Sequence, residues 1–234
     1  NRLVRSGLAR SQSHSGRTLS SNAASARNVV LVDGVRIPFT MGGTVYADYL
    51  AVDLQRMALK GLLTKTALDP ELIDYMFCGT VIQETRTSNI AREAGLGAGI
   101  PITVPSSTVT KACISSNLAI TSGAEKILSG QADIIIAAGV ETFSDVPIRF
   151  SRPIRQRLLK ANKALKKGPA GALGLLKGLG LKDLAPEAPA IANYTTGEVM
   201  GHSSDRLAAK FGVSREDQDA YTVRSHINAA KAHA

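Results

Sequence analysis

A cysteine between two predicted elements is the residue best placed for chemistry in this 234-residue sequence. Cys113 follows a strand-like segment at residues 107–110, and apolar periodicity predicts a helix over residues 113–128. Unpaired N–H groups give a helix start partial positive charge, which favours thiolate, the attacking form of cysteine. We therefore predict Cys113 to be a catalytic nucleophile. The alternative is an inert core thiol, which is how we interpret Cys78 in an apolar segment.

The other residues that could carry chemistry form no recognisable set. Glu141 and Asp145 could be a carboxylate pair, but isolated acids are common and we interpret both as structural. The two cysteines lack the Cys/His spacing of a zinc site and are too few for a disulfide framework, so we expect no metal and a reducing compartment. Gly34, Gly42 and Gly43 do not fit a phosphate-binding loop.

Composition and charge narrow the class of protein. With 44% hydrophobic and 20% charged residues, the chain has globular proportions. The net charge of +9 is concentrated in two acid-free segments, residues 1–27 and 146–182, and the rest of the chain is acidic. With five Tyr, five Phe and no Trp, the sequence lacks the aromatics of a nucleic-acid interface, so we expect no nucleic acid as partner. No apolar run has the length of a membrane-spanning helix.

The first 27 residues are rich in Arg, Ser and Ala and contain no acid. This composition is typical of a mitochondrial transit segment, which would take no part in the fold. The alternative is a disordered basic tail without targeting value.

Predicted strands and helices alternate along residues 28–147. The apolar run at 28–32 reads as a buried first strand that opens the folded domain, and residues 134–138 are an uninterrupted apolar run. Alternation of this kind predicts an α/β layer with a largely parallel sheet. The predicted strands are residues 28–32, 73–81, 107–110 and 134–138, and the predicted helices are residues 46–63, 89–95 and 113–128.

The basic segment at about residues 149–184 looks like an insertion. From Pro153 onward, Ile154, Leu158, Ala161 and Leu165 recur at helical spacing with Lys and Arg between them, which predicts a basic amphipathic helix. Such a helix could lie on an anionic membrane surface, with residues 173–181 adding an apolar stretch too short to cross it. The alternative is a solvated helix that covers the protein body.

Two further helices are predicted towards the end of the sequence. Ser203 and Ser204 are expected to precede the first of them, and Ser214 followed by acids is a start signal for the second. His202 is interpreted as a residue at the helix entry or on the surface. The last predicted helix has no terminator before Ala234, which we interpret as truncation.

Six segments over about residues 28–234 together resemble the thiolase family. They occur in the order that the family has them. The segments are Val32-Asp33-Gly34-Val35-Arg36-Ile37-Pro38-Phe39, Gly79-Thr80-Val81-Ile82-Gln83-Glu84, Asn89-Ile90-Ala91-Arg92-Glu93, Ala112-Cys113-Ile114-Ser115, Ala138-Gly139-Val140-Glu141-Thr142-Phe143-Ser144 and Met200-Gly201-His202-Ser203-Ser204-Asp205-Arg206.

The resemblance implies a thiolase-like N-terminal α/β core over residues 28–147, with a largely parallel mixed sheet and helices on both faces. Residues 148–234 would be a loop domain that contains the helical insertion, and the C-terminal half of the fold would be absent.

The resemblance also implies 3-ketoacyl-CoA thiolysis, the last step of mitochondrial fatty-acid β-oxidation. Cys113 would hold the shortened acyl group as a thioester, and its backbone N–H would donate to the thioester oxyanion. Met200 would line the substrate channel, although ordinary core packing is the alternative. Coenzyme A would be a co-substrate, with no permanently bound cofactor.

The sequence also departs from the family. A complete thiolase has a second half with an Asn-Glu-Ala-Phe-like segment, a Gly-His-Pro segment and a second catalytic cysteine, and none of these occurs here. No histidine is followed by proline. Without this base and acid, we expect the chain as written to be a fragment that does not catalyse thiolysis.

The implied partners are acyl-CoA and CoA, a second copy of the chain, and the α-subunit of a multienzyme complex that also hydrates and dehydrogenates acyl-CoA. The implied location is the mitochondrial matrix, in peripheral contact with the anionic inner membrane. Two alternatives remain. One is an acetyl-CoA acetyltransferase that runs in the condensation direction, and the other is a non-catalytic truncated product that keeps assembly or membrane contacts.

Overall fold

The computed structural model describes residues 27–166, 168, 178 and 180–233. They belong to two compact units, one ending at Asp145 and the other beginning at Val146. The predicted transit segment at residues 1–27 lies outside the described residues except for Arg27. The assignment of residues 148–234 as a loop domain stays a prediction.

A three-stranded parallel sheet forms the centre of the first unit. Its strands are β1 (Tyr75–Gly79), β2 (Ser106–Val109) and β3 (Ile135–Gly139), in the order β2-β1-β3. Met76 is in register with Ser106 on one side and with Ile136 on the other. The predicted α/β class and parallel sheet are confirmed, and the apolar run at 134–138 is β3.

Helices cover both faces of this sheet. They are α1 (Ala51–Thr66), α2 (Ile90–Ala98) and α3 (Ser115–Leu128). Met76 faces α2, because its side chain is the nearest neighbour of Gly95, whereas Ile135 on the opposite face contacts Gly123 of α3. Because side chains alternate along a strand, α3 packs on one face, while α1 and α2 pack on the other. The prediction of helices on both faces is confirmed.

The main core lies between the sheet and the pair α1 and α2. Met76 and Cys78 of β1 and Leu59 of α1 are its largest fully buried side chains. Asn89 fixes the start of α2, since its side-chain oxygen accepts from Arg92 N–H at 3.3 Å while its amide donates to the Ser106 carbonyl at 2.9 Å. The two bonds tie α2 to β2. The remaining members of the core cluster are Ala51, Ile73, Ile90, Ala91, Ala94, Ile100, Val104 and Ile136.

The predicted first strand at residues 28–32 is wrong. These residues have no regular secondary structure and are exposed, with Leu31 and Val32 at 91% and 85% of their full accessibility. A strand needs main-chain partners, and in the described part of the chain the only ladders are the two that β1 makes. The following segment is held instead by Lys65, whose Nζ lies 2.8 Å from Asp33 Oδ1.

The second unit contains α4 (Arg152–Leu165), α5 (Met200–Phe211) and α6 (Arg215–His233). The predicted helix from Pro153 is confirmed and begins one residue earlier. Most of the predicted apolar stretch at 173–181 lies outside the described residues. An antiparallel bridge joins Arg149 and Glu187 through two backbone hydrogen bonds of 2.9 and 2.8 Å, which brings the two ends of the insertion together.

The ends of α5 and α6 test two of the start signals. Ser203 and Ser204 lie inside α5, so the prediction that they precede the helix is wrong; α5 begins at Met200 because the extended Val199 takes the capping position. Ser214 caps α6 as predicted, since its Oγ accepts from Asp217 N–H at 3.0 Å. None of the helices within the described ranges has both the length and the apolar character needed to cross a membrane.

Candidate functional site

Cys113 lies in the connection between β2 and α3, which comprises residues 110–114 and is called the elbow here. Its side chain is exposed. Helix α3 begins at Ser115, two residues later than predicted, so Cys113 immediately precedes the helix-capping residue Ile114. The structure therefore presents this thiol to solvent at the place where a strand turns into a helix.

The backbone of the elbow adopts an uncommon conformation. Ala112 has a φ of 47°, in the left-handed region, which costs a non-glycine residue about 1 kcal/mol. Hydrogen bonds hold it there: Ile114 N–H donates to the Lys111 carbonyl at 3.2 Å, and Ser115 N–H donates to the Ala112 carbonyl at 3.1 Å. The Ser115 hydroxyl adds two bonds, accepting from Lys111 N–H at 2.8 Å and donating to the Ala112 carbonyl at 2.6 Å.

Two glycines let the start of α3 approach the sheet. A Cβ on Gly79, the last residue of β1, would lie 2.3 Å from the carbonyl carbon of Ser115. A Cβ on Gly139, the last residue of β3, would lie 1.8 Å from Ser116 Oγ. The start of α3 is thus seated on the carboxyl ends of both strands, the edge at which open α/β sheets bind ligands.

Glu141 stabilises the loop that follows β1. Its carboxylate accepts from Val81 N–H at 2.8 Å and from Ile82 N–H at 3.1 Å, and Thr80 Oγ1 lies 3.4 Å away. The structural interpretation of this acid is confirmed, because both of its oxygens bind backbone groups. Asp145 is exposed.

The two thiols differ sharply in environment. Cys78 is fully buried, and its Sγ lies 3.6 Å from Gln55 Oε1. Burial, together with the negative charge of Glu141, raises the pKa of Cys78 to about 12. Cys78 is therefore a core residue, as interpreted from the sequence, whereas Cys113 is accessible to a reactant.

Met200 and His202 belong to the second unit. Met200 is the first residue of α5 and is 64% exposed, so it is not packed as a core residue within the described structure. His202 is also exposed and lines an open depression of about 730 Å³ together with Glu198 and Arg206, which form a salt bridge. The role of Met200 in substrate binding stays a prediction.

Sequence reasoning missed three features of the first unit. Ser115 is one, because a serine at a helix start is expected to cap the helix forward, whereas this hydroxyl binds backward into the elbow. The close approach at Gly79 is another, since a glycine that ends a strand carries no signal of what packs on it. The third is a cavity of about 380 Å³, which is lined by residues 35–42, α1 and residues 139–144 and does not include Cys113.

In the described residues no group of three or more His, Cys, Asp or Glu side chains could hold a metal ion.

The parallel sheet, the helices on both faces and the exposed cysteine at the elbow define an α/β protein with a thiol at the carboxyl edge of its sheet. Residues 29–234 match the family model described as "Thiolase, N-terminal domain". The chain belongs to the thiolase family, and the resemblance seen in the sequence is confirmed.

Two curated relatives and one solved structure show the extent of the match. The chain is 55% identical over 206 residues to "Trifunctional enzyme subunit beta, mitochondrial" of Macaca fascicularis, covering 88% of this chain and 43% of that protein. It is 53% identical over 207 residues to "Probable 3-ketoacyl-CoA thiolase" of Caenorhabditis elegans, covering 88% and 45%. The crystal structure of the Bacillus anthracis acetyl-CoA acetyltransferase matches with a TM-score of 0.62 and 26% identity, covering 82% of this chain and 44% of that chain. The chain thus spans less than half the length of the proteins it matches.

Proposed function

We propose that this chain supplies the nucleophilic cysteine of a 3-ketoacyl-CoA thiolase, an acyltransferase. The observation that supports the proposal is the exposed Cys113 thiol, held at the elbow in a chain of the thiolase family. The name of the Caenorhabditis elegans relative, at 53% identity, states this substrate class.

The proposed reaction consists of two acyl transfers. The Cys113 thiolate attacks the 3-keto carbonyl carbon; the bond between C2 and C3 then breaks, and its electron pair stays on C2, which takes up a proton to give acetyl-CoA. The shortened acyl group remains as a thioester on Cys113. A CoA thiol then attacks this thioester, takes the acyl group and releases Cys113. Covalent catalysis of this kind divides one difficult carbon–carbon cleavage into two easier steps.

The backbone around Cys113 would contribute to both steps. We propose that the N–H of Cys113 donates to the thioester oxygen as negative charge develops on it. A donor of this type contributes about 3 kcal/mol to the transition state. Coenzyme A is then a co-substrate, and Met200 is proposed to line the acyl-CoA channel.

Acylation of the thiol tests this assignment. The full polypeptide that contains this sequence is incubated with acetyl-CoA, and peptide mass mapping locates the acetyl group. We expect acetylation at Cys113, its loss in Cys113→Ala, and its retention in the matched variant Cys78→Ala. Acetylation that persists in Cys113→Ala, or that never occurs, would refute the assignment and would leave a non-catalytic role.

The alternative activity is that of an acetyl-CoA acetyltransferase, which condenses two acetyl-CoA molecules. The name of the Bacillus anthracis neighbour favours it. Both reactions share the acyl-Cys113 intermediate, so the acylation test does not separate them. Steady-state rates do, if thiolysis of 3-ketoacyl-CoA of increasing chain length is compared with condensation of two acetyl-CoA molecules. A rate that holds or rises with chain length supports thiolysis of fatty acyl chains.

We also propose a mitochondrial location and assembly with a second copy and with the α-subunit of a trifunctional enzyme. Support for the location and for a trifunctional enzyme comes from the names of the relatives, which describe a mitochondrial trifunctional enzyme subunit beta in six mammals. The second copy is proposed on the resemblance to the thiolase family alone. Purification of the native protein from mitochondria with its bound partners tests both points. Recovery of the chain without an α-subunit would contradict the proposed assembly.

Contact with an anionic membrane surface is proposed for α4. Basic and apolar side chains are exposed together on this helix, including Lys160, Lys163, Leu158 and Leu159, which is the composition of an interfacial helix. We expect Lys160→Glu combined with Lys163→Glu to weaken binding to cardiolipin-containing vesicles. Each basic residue near such a surface contributes about 1 kcal/mol, so the pair should lower the partition coefficient by roughly tenfold or more.

A matched control places the same change elsewhere on the protein. Lys210→Glu combined with Lys231→Glu alters the net charge equally but lies on α5 and α6. Equal loss of vesicle binding in both double variants would indicate a general charge effect and would contradict the role of α4.

A further inference from the structure

The Ser115 hydroxyl is placed where it can control the direction in which Cys113 points. Ser115 is only 3% exposed, and it is one of four buried polar residues in the described structure. Both of its hydroxyl hydrogen bonds go backward to the elbow, to Lys111 N–H at 2.8 Å and to the Ala112 carbonyl at 2.6 Å. The Lys111 N–H belongs to the peptide unit between Thr110 and Lys111, and the Ala112 carbonyl belongs to the unit between Ala112 and Cys113.

Local helix capping does not explain this arrangement. A serine that caps a helix accepts from an N–H two or three residues further along, whereas Ser115 accepts from an N–H four residues back. The capping residue itself is Ile114, which makes no side-chain cap. The hydroxyl therefore organises the loop and not the helix.

The elbow needs hydrogen bonds of this kind because the backbone of Ala112 is in the left-handed conformation. An alanine at a φ of 47° persists only where its surroundings hold it. Gly79 and Gly139 bring the start of α3 against the sheet, which fixes Ser115, and Ser115 in turn fixes Lys111 and Ala112. The orientation of the Cys113 side chain follows from the position of the backbone on either side of it.

We infer that Ser115 is a positioning residue, which aims the Cys113 thiol at the acyl carbon of a CoA thioester by locking Lys111 and Ala112. This inference rests on the proposed function of Cys113. In the acylation step the thioester bond to CoA breaks, a bond from the acyl carbon to Cys113 Sγ forms, and CoA leaves with the proton of the thiol. Ser115 touches none of these atoms and acts through the backbone of the elbow.

The test measures the rate of Cys113 acetylation by acetyl-CoA in the full polypeptide. Ser115→Ala removes the hydroxyl, and we expect the maximal acetylation rate to fall by about 10- to 100-fold, because small displacements of reacting groups cost this much. The half-saturating acetyl-CoA concentration should stay within about twofold. The rate is taken as a single-turnover rate constant together with its amplitude, because a loss of folded molecules lowers the amplitude and leaves the rate constant unchanged.

Ser129→Ala is the matched control. The Ser129 hydroxyl also donates to the carbonyl three residues back, at 3.0 Å, but at the opposite end of α3. This variant should acetylate at the parental rate. A thermal melt of each variant shows whether it is folded under the assay conditions.

A second variant changes the same hydrogen bond from its exposed end. Lys111→Pro removes the N–H from which the Ser115 hydroxyl accepts, and it should lower the acetylation rate in the same way. It replaces Ser115→Ala as the test if that variant does not fold. Parental rates in folded Ser115→Ala or Lys111→Pro would overturn the inference and leave the proposed function standing. Absence of acetylation in the parent protein would overturn both.

Discussion

Replacing Gly79 by alanine should separate close packing at the elbow from any general effect of losing a glycine. The new Cβ would lie 2.3 Å from the Ser115 carbonyl carbon, 2.4 Å from its oxygen and 2.5 Å from Ser116 N, whereas ordinary contacts fall between 3.4 and 4 Å. About 1 Å of additional separation is needed. All three atoms are backbone, so no side chain can rotate away. The strand and the helix must move apart.

The expected destabilisation is about 1 to 3 kcal/mol, the usual cost of overpacking a well-filled site. Gly61→Ala is the control, because it is the same substitution and is expected to change the free energy of unfolding in the opposite direction. Gly61 lies inside α1, and a Cβ there would meet no atom within 4 Å. Because alanine favours a helix interior over glycine, this variant should gain about 0.5 to 1 kcal/mol.

Urea denaturation followed by circular dichroism measures both free energies of unfolding, with equal denaturant slopes as the condition for comparing them. In the acetylation assay, Gly79→Ala should also be slower than Gly61→Ala, because the same 1 Å shift displaces the elbow. A Gly79→Ala variant within about 0.5 kcal/mol of the parent would show that the start of α3 does not rest on β1. Equal losses in both variants would show that neither effect comes from packing.

Three further predictions concern single side chains. Cys78, with a pKa of about 12, should have roughly one thiolate in 10⁴ molecules at pH 8, so iodoacetamide should label it on the order of 10³ times more slowly than an ordinary exposed thiol, and peptide mapping that finds rapid labelling in folded protein would contradict this. Backbone N–H groups of Ile134 and Asp133 lower the pKa of Asp74 below 3.8, so its contribution to stability is present above that pH and is lost as pH falls through the lower folded-state value. The difference in unfolding free energy between the parent and Asp74→Asn should therefore shrink on acidification. A constant difference would argue against these hydrogen bonds. Glu141→Gln leaves one amide oxygen for the N–H groups of Val81 and Ile82, so urea unfolding should show a loss of about 1 to 3 kcal/mol, and an unchanged midpoint would mean that solvent replaces the carboxylate.

The sequence predicted the fold where burial and periodicity agreed. Three of the four predicted strands are present within one or two residues of their ends. β1 is apolar and lies between the other two strands, and the apolar β3 pairs with it. The run at residues 28–32 is equally apolar, and it failed as a prediction because hydrophobicity alone does not supply a main-chain partner. Helix α1 starts at Ala51 and not at residue 46, since the Asp53 carboxylate accepts from Leu50 N–H at 3.2 Å and so fixes the first turn there.

The candidate site was predictable only in its central residue. Cys113 stands out in the sequence because its type and its position before a predicted helix both indicate a nucleophile. Its support is invisible at that level, since Ser115 acts through the backbone of residues 111 and 112 and its hydrogen bonds depend on a left-handed alanine. No propensity scale predicts that conformation, because it exists only after α3 has packed on the sheet.

The residues that support the elbow, which are glycine, alanine and serine, do not react themselves. Their role is to fix the backbone before the reaction begins. A thiol at the end of a flexible loop would have to lose conformational freedom at the moment of reaction, which slows any acyl transfer. Here the glycines at the ends of β1 and β3 admit the helix, the helix fixes Ser115, and Ser115 fixes the peptides before Cys113. The cost of the left-handed Ala112 is thus met during folding and not during catalysis. Gly79→Ala and Ser115→Ala combined should slow acetylation by less than the product of their separate effects, because both disturb the same support.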